Sequence, residues 1–290
     1  MTSGDRTSLM SDSERPGTTQ VTLIQLEGGS DAQVDHRVEE TLQLLIRAPS
    51  AHLYLLPEVW NVGYFAFDRY KSRAETLAGP TISSLREFAR RQQAYVLAGS
   101  IIEKGESGEL YNTCVLIDDR GEFAAVYRKV HLFGYDSKEA QLLTAGTTLG
   151  IADTHFGRVG IATCYDLRFP EQFRAMAWQG VEIFLVPSAW PAVRSYDWEV
   201  LTSARAMENQ AFLIACNAAG EQEGTSLAGH SRVIDPRGKA IAEAGHGAET
   251  LTAQVDSALV RACRKEFPAL SDSRSTRYEA WHEPVALKLS

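Results

Sequence analysis

Residues 157–171, GRVGIATCYDLRFPE, run from an apolar stretch into a polar turn and then reach Pro170. The apolar run predicts a strand over 157–164. Pro170 suits the first position of a helix, which the pattern extends to residue 179. Cys164 then stands on a strand-to-helix turn, where a nucleophile is lifted off the sheet and the next backbone N–H can face the same oxyanion. Taken alone, the position fits a buried strand cysteine better, because Cys is among the most buried residue types.

Working outward, the same alternation of strand and helix recurs. Apolar runs predict strands at VTLIQLE (21–27), HLYLLPE (52–58), AYVLAGSIIE (94–103), EIFLVPS (182–188), AFLIACN (211–217), HSRVID (230–235) and ETLTAQVD (249–256). LYNTCVLID (110–118) and EFAAVYRK (122–129) form a hairpin around a turn closed by Gly121. Helices are expected at 34–47, where Val34, Val38, Leu42 and Leu45 repeat near a 3.6 period, and from Pro80 to Gln93, 170–179 and 197–209. Strands that are wholly apolar are buried on both faces or packed sheet on sheet, so the class is α/β. One domain is expected over 20–270, after a disordered leader at 1–19 rich in Ser, Thr, Gly and charge. The polar tail over 271–290, with Tyr278 and Trp281, is expected to pack on the domain or on a partner subunit.

The 290 residues carry a formal net charge of −8. That excess of acid argues against nucleic acid and against an anionic membrane surface. No apolar run approaches the roughly 20 residues that span a bilayer. Four separated cysteines without a CxxC pair fit a reducing cytoplasm, and the scattered histidines give no metal-ligand spacing.

Two further strand ends carry chemistry. Glu58 closes LYLLPE, where partial desolvation would raise its pKa toward neutrality. Lys129 closes EFAAVYRK, where its charge could hold an oxyanion. Each is unremarkable singly, since strand-end Glu and Lys usually face solvent. Strand ends of one sheet share one rim, however, so Glu58, Lys129 and Cys164 can converge there.

With LLPEVWNVGY around Glu58, YRKVHLF around Lys129, ATCYDLRFPE around Cys164, ARAMENQAFLIACNAAG (204–220) and GHSRVIDPRGKAIAEAG (229–245), the chain resembles the nitrilase, or carbon–nitrogen hydrolase, superfamily. The resemblance implies a four-layer αββα sandwich, extended to αββα–αββα across a homodimer. It implies a second glutamate, Glu139 in KEAQLLTAG, seven residues before Gly146, bonded to the lysine. Glu58 would act as base, Cys164 as nucleophile, and Lys129 with the Tyr165 backbone N–H as oxyanion donors, without cofactor or metal. Asp166, Arg168, Arg205 and Glu208 are expected as supporting ion pairs, and Tyr64, Phe133 and Trp190 as pocket walls. True nitrilases usually carry Trp-Glu after the cysteine and carbamoylases Asn-Asp-Arg. Tyr165-Asp166-Leu167-Arg168 instead looks like the branch of ω-amidases and deaminated-glutathione amidases, whose substrates are small amides bearing a remote carboxylate. Arg194 is the candidate cation for that carboxylate. The alternatives are a nitrile or N-carbamoyl amino acid hydrolase, a catalytically silent interaction protein, or a redox-sensing cysteine, which would lack a nearby resolving partner.

Overall fold

A computed structural model describes residues 17–28, 36–135 and 137–274. The expected leader, apart from its last few residues, lies outside the described residues, as do Val34, Tyr278 and Trp281. In chain order the elements are β1 (Thr19–Gln25), α1 (Arg37–Arg47), β2 (Leu53–Leu55), α2 (Tyr70–Arg73), α3 (Pro80–Gln92), β3 (Tyr95–Leu97), β4 (Ile101–Lys104), β5 (Leu110–Ile117), β6 (Phe123–Arg128) and α4 (Glu139–Leu142). There follow β7 (Gly150–Thr154), β8 (Gly157–Ile161), α5 (Pro170–Trp178), β9 (Ile183–Ser188), α6 (Ser195–Asn209), β10 (Phe212–Asn217), β11 (Glu221–Gln222), β12 (Thr225–Ser226), β13 (Arg232–Ile234), β14 (Ala240–Glu243), β15 (Glu249–Val255) and α7 (Ser257–Glu266).

Two mixed sheets result. The first has the order β15-β1-β2-β3-β5-β4 with β6 added beside β5, and the second β14-β13-β10-β9-β8-β7. Period-2 alternation decides which way each strand faces. Val21, Leu23, Leu53 and Leu55 of the first sheet meet Val159, Ile161, Ile183, Leu185, Phe212 and Ile214 of the second in one buried core. Their neighbours turn outward: Ile24, Tyr54 and Leu56 pack on Leu45 of α1 and Ile82, Leu85 and Phe88 of α3. On the other side Phe184, Val186, Leu213 and Ala215 pack on Phe173 and Met176 of α5 and on Trp198 and Ala206 of α6. The layers are therefore helix, sheet, sheet, helix, as the αββα expectation required.

Several sequence expectations change in detail. The run 94–103 is not one strand. It breaks at Gly99, whose φ of +62° is open to glycine, and a Cβ there would stand 1.9 Å from the Pro57 carbonyl oxygen. That close approach lets Ser100 take over the turn after β2: its N–H donates to Pro57 O at 3.2 Å, and its Oγ accepts from Val59 N at 3.0 Å. The strands β7 and β14 are additions, being short and only half apolar. The helix α7 is another, started by Asp256, whose side chain accepts from Ala258 N at 2.8 Å. Helix α6 starts at Ser195, two residues before the expected 197.

Candidate active site

The turn after β2 holds Glu58 in place. Val59 has φ +44°, rare for a β-branched residue, and is pinned by Ser100 and by Gly63 N donating to its carbonyl at 2.7 Å. Glu58 is fully buried. Its Oε1 accepts from Lys129 Nζ at 2.8 Å and from Asn112 Nδ2 at 2.8 Å, while Oε2 accepts from Ala189 N at 3.0 Å.

Lys129 follows β6, and its own N–H donates to Asn112 O at 2.8 Å. Gly146 N closes on its carbonyl at 2.9 Å, and no Cβ fits at Gly146 because Arg128 O would be 2.0 Å away. Lys129 Nζ also donates to both oxygens of Glu139 at 3.0 Å. Glu139, at the start of α4, further accepts from Asn112 Nδ2 at 2.9 Å, Tyr64 OH at 3.0 Å and Phe133 N at 2.7 Å. Two carboxylates thus share one ammonium in a pocket closed to solvent.

Cys164 comes from the second sheet. It opens a turn of 3₁₀ helix over Cys164–Arg168 with φ +45°, a strained nucleophile-type bend. Asp166 fixes that bend. Its carboxylate accepts from Thr163 N at 2.8 Å, Tyr127 OH at 2.6 Å and His131 N at 3.1 Å, which ties the turn to the segment just after Lys129. The thiol stands beside the Glu58 side chain and the Ala189 N–H, near enough for both to act on its ionisation. The single-rim expectation is therefore corrected. Glu58 and Lys129 end strands of one sheet and Cys164 a strand of the other, and the groups meet across the sandwich because both sheets present their strand ends on the same side.

The electrostatics follow from burial. Desolvation pushes the Glu58 carboxyl above the ordinary carboxylate range, with Lys129 opposing and Glu139 adding to it. Desolvation by itself would strip the proton from Lys129, but Glu139 and Glu58 together outweigh it and hold the ammonium well above its ordinary value. Burial, then the charge of Glu58, pushes the Cys164 thiol up. At rest the cysteine keeps its proton, as a thiol beside the Glu58 carboxyl group.

A small pocket of about 30 Å³ opens over Cys164, lined by Tyr64, Phe133, Tyr165, Trp190 and Arg194 among others. All of the expected wall residues are at the pocket. Trp190 Nε1 donates to Arg194 O at 2.8 Å, and the Arg194 guanidinium lies 5.7 Å from the Phe133 ring centre. Arg168 also lines the pocket while pairing with Asp197 at 2.6 Å, and Arg205 pairs with Glu208 at 2.8 Å and holds Leu167 O at 2.9 Å. Sequence reasoning missed Asn112, which bonds both carboxylates. One signal was available: it shares the inward face of β5 with Cys114 and Leu116, where a polar residue is out of place. Among the described residues, no group of three or more His, Cys, Asp or Glu could hold a metal ion, and no helix is long and apolar enough to cross a membrane.

The sequence and the fold have counterparts among known proteins. A sequence profile described as carbon–nitrogen hydrolase matches residues 20–265. The chain is 32% identical over 271 residues to the 2-oxoglutaramate amidase of Paenarthrobacter nicotinovorans, covering 91% of this chain and 92% of that one. Nit3 of Saccharomyces cerevisiae, a member of branch 10 of the nitrilase superfamily, matches with a TM-score of 0.79 at 29% identity, over 93% of this chain and 100% of that one. A variant of the amidase from Nesterenkonia sp. AN1 bears the acetamide moiety of fluoroacetamide covalently added at its active-site cysteine. It matches with a TM-score of 0.79 at 26% identity, over 92% and 98% of the two chains. On sequence and on fold alike, this chain belongs to the carbon–nitrogen hydrolase family, within the nitrilase superfamily.

Proposed function

We propose that the protein is a cysteine-dependent amidase of small molecules, releasing ammonia and a carboxylic acid through a thioester, with Glu58, Lys129, Cys164 and Glu139 as its machinery. The single observation that carries this is the Cys164 thiol set beside the buried Glu58 side chain, whose Oε1 accepts from Lys129 Nζ at 2.8 Å. As Cys164 Sγ attacks the amide carbon, its proton passes to Glu58, so no free thiolate has to persist. The carbonyl oxygen becomes an oxyanion facing the Tyr165 N–H at the start of the turn, a donor of the kind worth about 3–4 kcal/mol. Lys129 acts mainly through its field, because its hydrogen bonds already reach three carboxylate oxygens.

Glu58 then returns its proton to the departing nitrogen, the C–N bond breaks, and ammonia leaves a Cys164 thioester. Water entering the vacated position gives a proton to Glu58 and its oxygen to the acyl carbon. The C–S bond breaks, the acid leaves, and the proton goes back to Cys164. Glu139 would keep Lys129 charged and in place throughout.

The relatives named as amidases support amides over nitriles. The tight pocket favours a short acyl chain, and Arg194 supplies a cation for a remote carboxylate, as in a monoamide of a small dicarboxylic acid. A homodimer is supported by the exposed apolar side chains of Val193, in the 3₁₀ turn before α6, and of Tyr196 and Val200 in the first turns of α6, spaced three and four residues apart. Light scattering should give twice the chain mass, falling to one for Val193→Asp. The acidic surface and four free cysteines favour the cytoplasm.

The deciding experiment is an ammonia-release screen over amides, carbamoyl compounds and nitriles, with Cys164→Ala as control. Loss of release by about 10⁴-fold or more in a folded variant is expected. Undiminished release would end the proposal, and faster turnover of matched nitriles would reverse the subclass.

A further inference from the structure

Among the described residues, Asn112 is the one neutral side chain that bonds both carboxylates of the site, and nothing in the chemistry above uses it. It is fully buried on β5, and Nδ2 lies 2.8 Å from Glu58 Oε1 and 2.9 Å from Glu139 Oε1. The orientation of the amide is fixed by chemistry. Two carboxylate oxygens cannot donate to an amide oxygen, so the NH₂ group must face them. The cost of that choice is visible on the other side, where Asn112 Oδ1 is buried without a hydrogen-bond partner. An apolar side chain would fill the same place without burying an unpaired oxygen, so the amide here points to work done by its NH₂ group.

That work follows from charge. One ammonium faces two carboxylates, and the charge of Glu139 works against the ionised form of Glu58. An amide N–H given to Glu58 favours its ionised form without adding a charge to the site, while the second N–H holds Glu139 in place. Glu58 Oε1 is then held between Lys129 and Asn112, which leaves Oε2 with Ala189 N as its donor and the carboxyl group beside the thiol.

We propose that Asn112 is a positioning residue that braces Glu58 and Glu139 on either side of Lys129 and keeps Glu58 aimed at Cys164 as a proton acceptor. The inference rests on the amidase reading given above. Asn112 does not line the pocket, so it acts on proton transfer and not on substrate binding.

The test uses the full chain and two pH profiles between about pH 4 and pH 9. One is kcat/KM for ammonia release from a monoamide of a small dicarboxylic acid. The other is the rate of Cys164 alkylation by iodoacetamide, which requires no turnover, with Cys164→Ala as its control. In Asn112→Leu, the acid limb of both profiles should move up by about one pH unit. At the same time kcat should fall about tenfold or more near neutrality, with KM changed less than about twofold.

Should Asn112→Leu fail to fold, Asn112→Ser decides, since it keeps a hydroxyl too short to bridge both carboxylates. An acid limb that stays where the wild type has it, in a folded variant, overturns the proposal whatever happens to kcat. A rise in KM alone does the same. If the wild-type protein releases no ammonia yet its alkylation limb moves with Asn112, the amidase reading falls and the brace stands.

Discussion

Leu55 and Glu58 lie three residues apart on one strand and its turn, and neither has any exposure to solvent. Leu55 faces Leu185 and Ile161 in the core between the sheets, where burial of each such side chain contributes about 1.5–3 kcal/mol. Glu58 is just as dry but gains nothing from leaving water. Its charge is tolerated only because Lys129, Asn112 and the Ala189 N–H replace the lost solvent. Burial therefore serves two ends in this protein. The strands supply the stability, and their ends hold a cluster that would be more stable with fewer charges.

The largest effect that can break this comparison is a crossed pair of substitutions. Glu58→Gln keeps the shape and removes one of the two carboxylates beside Lys129, leaving a balanced Lys129–Glu139 pair. Ammonia release should fall by about 10³-fold, the scale of a lost general base. Thermal unfolding of that variant should stay level or rise, since one buried charge is gone. Leu55→Ala should do the reverse. It opens a cavity that costs about 2–5 kcal/mol, while kcat/KM per folded molecule below the transition stays within about twofold. Paired melting curves and initial rates check both. A Glu58→Gln that melts far below the wild type would show the cluster to be a source of stability, and the contrast would fail.

The two regions were also unequally legible in the sequence. Core strands such as EIFLVPS and AFLIACN announce themselves by composition, because a wholly apolar run is buried whatever lies beside it. Cys164 was legible through its strand-to-helix turn, a local feature with Pro170 close by. Gly99 was not, since its break depends on the approach of the Pro57 carbonyl from a different strand. Asn112 showed only as a polar residue on an apolar face; its role did not show, since its partners are 54 and 27 positions away and only the fold brings them together. The assumption of one shared rim failed for the same reason. Strand ends can be read from a sequence, but the sheet each strand joins depends on pairing between distant segments.

A smaller effect sharpens the comparison through pH. Burial raises the Glu58 carboxyl above its ordinary value of 4.5, and the Cys164 thiol above 9.0. In the proposed reaction, Glu58 must be ionised to accept the proton and Cys164 must still hold it. The kcat/KM profile should therefore have an acid limb above pH 4.5 and an alkaline limb beyond pH 9.0, with apparent values that belong to the coupled pair.

For stability, the sign is opposite to the usual carboxylate. A raised folded pKa means that the native state binds the proton more tightly than the unfolded chain. The contribution of Glu58 is present below about pH 4.5 and is lost as pH rises through its folded value, at about 1.4 kcal/mol for each pH unit separating the folded and unfolded values. Glu58→Gln abolishes that titration. Its stability relative to the wild type should climb across the same window and then level off, as denaturant unfolding at a series of pH values would record. Leu55→Ala, which titrates nothing, should show an offset independent of pH. A flat difference for Glu58→Gln would mean that Lys129 and Asn112 compensate the buried charge completely, so that Glu58 at its strand end is no more costly to bury than Leu55.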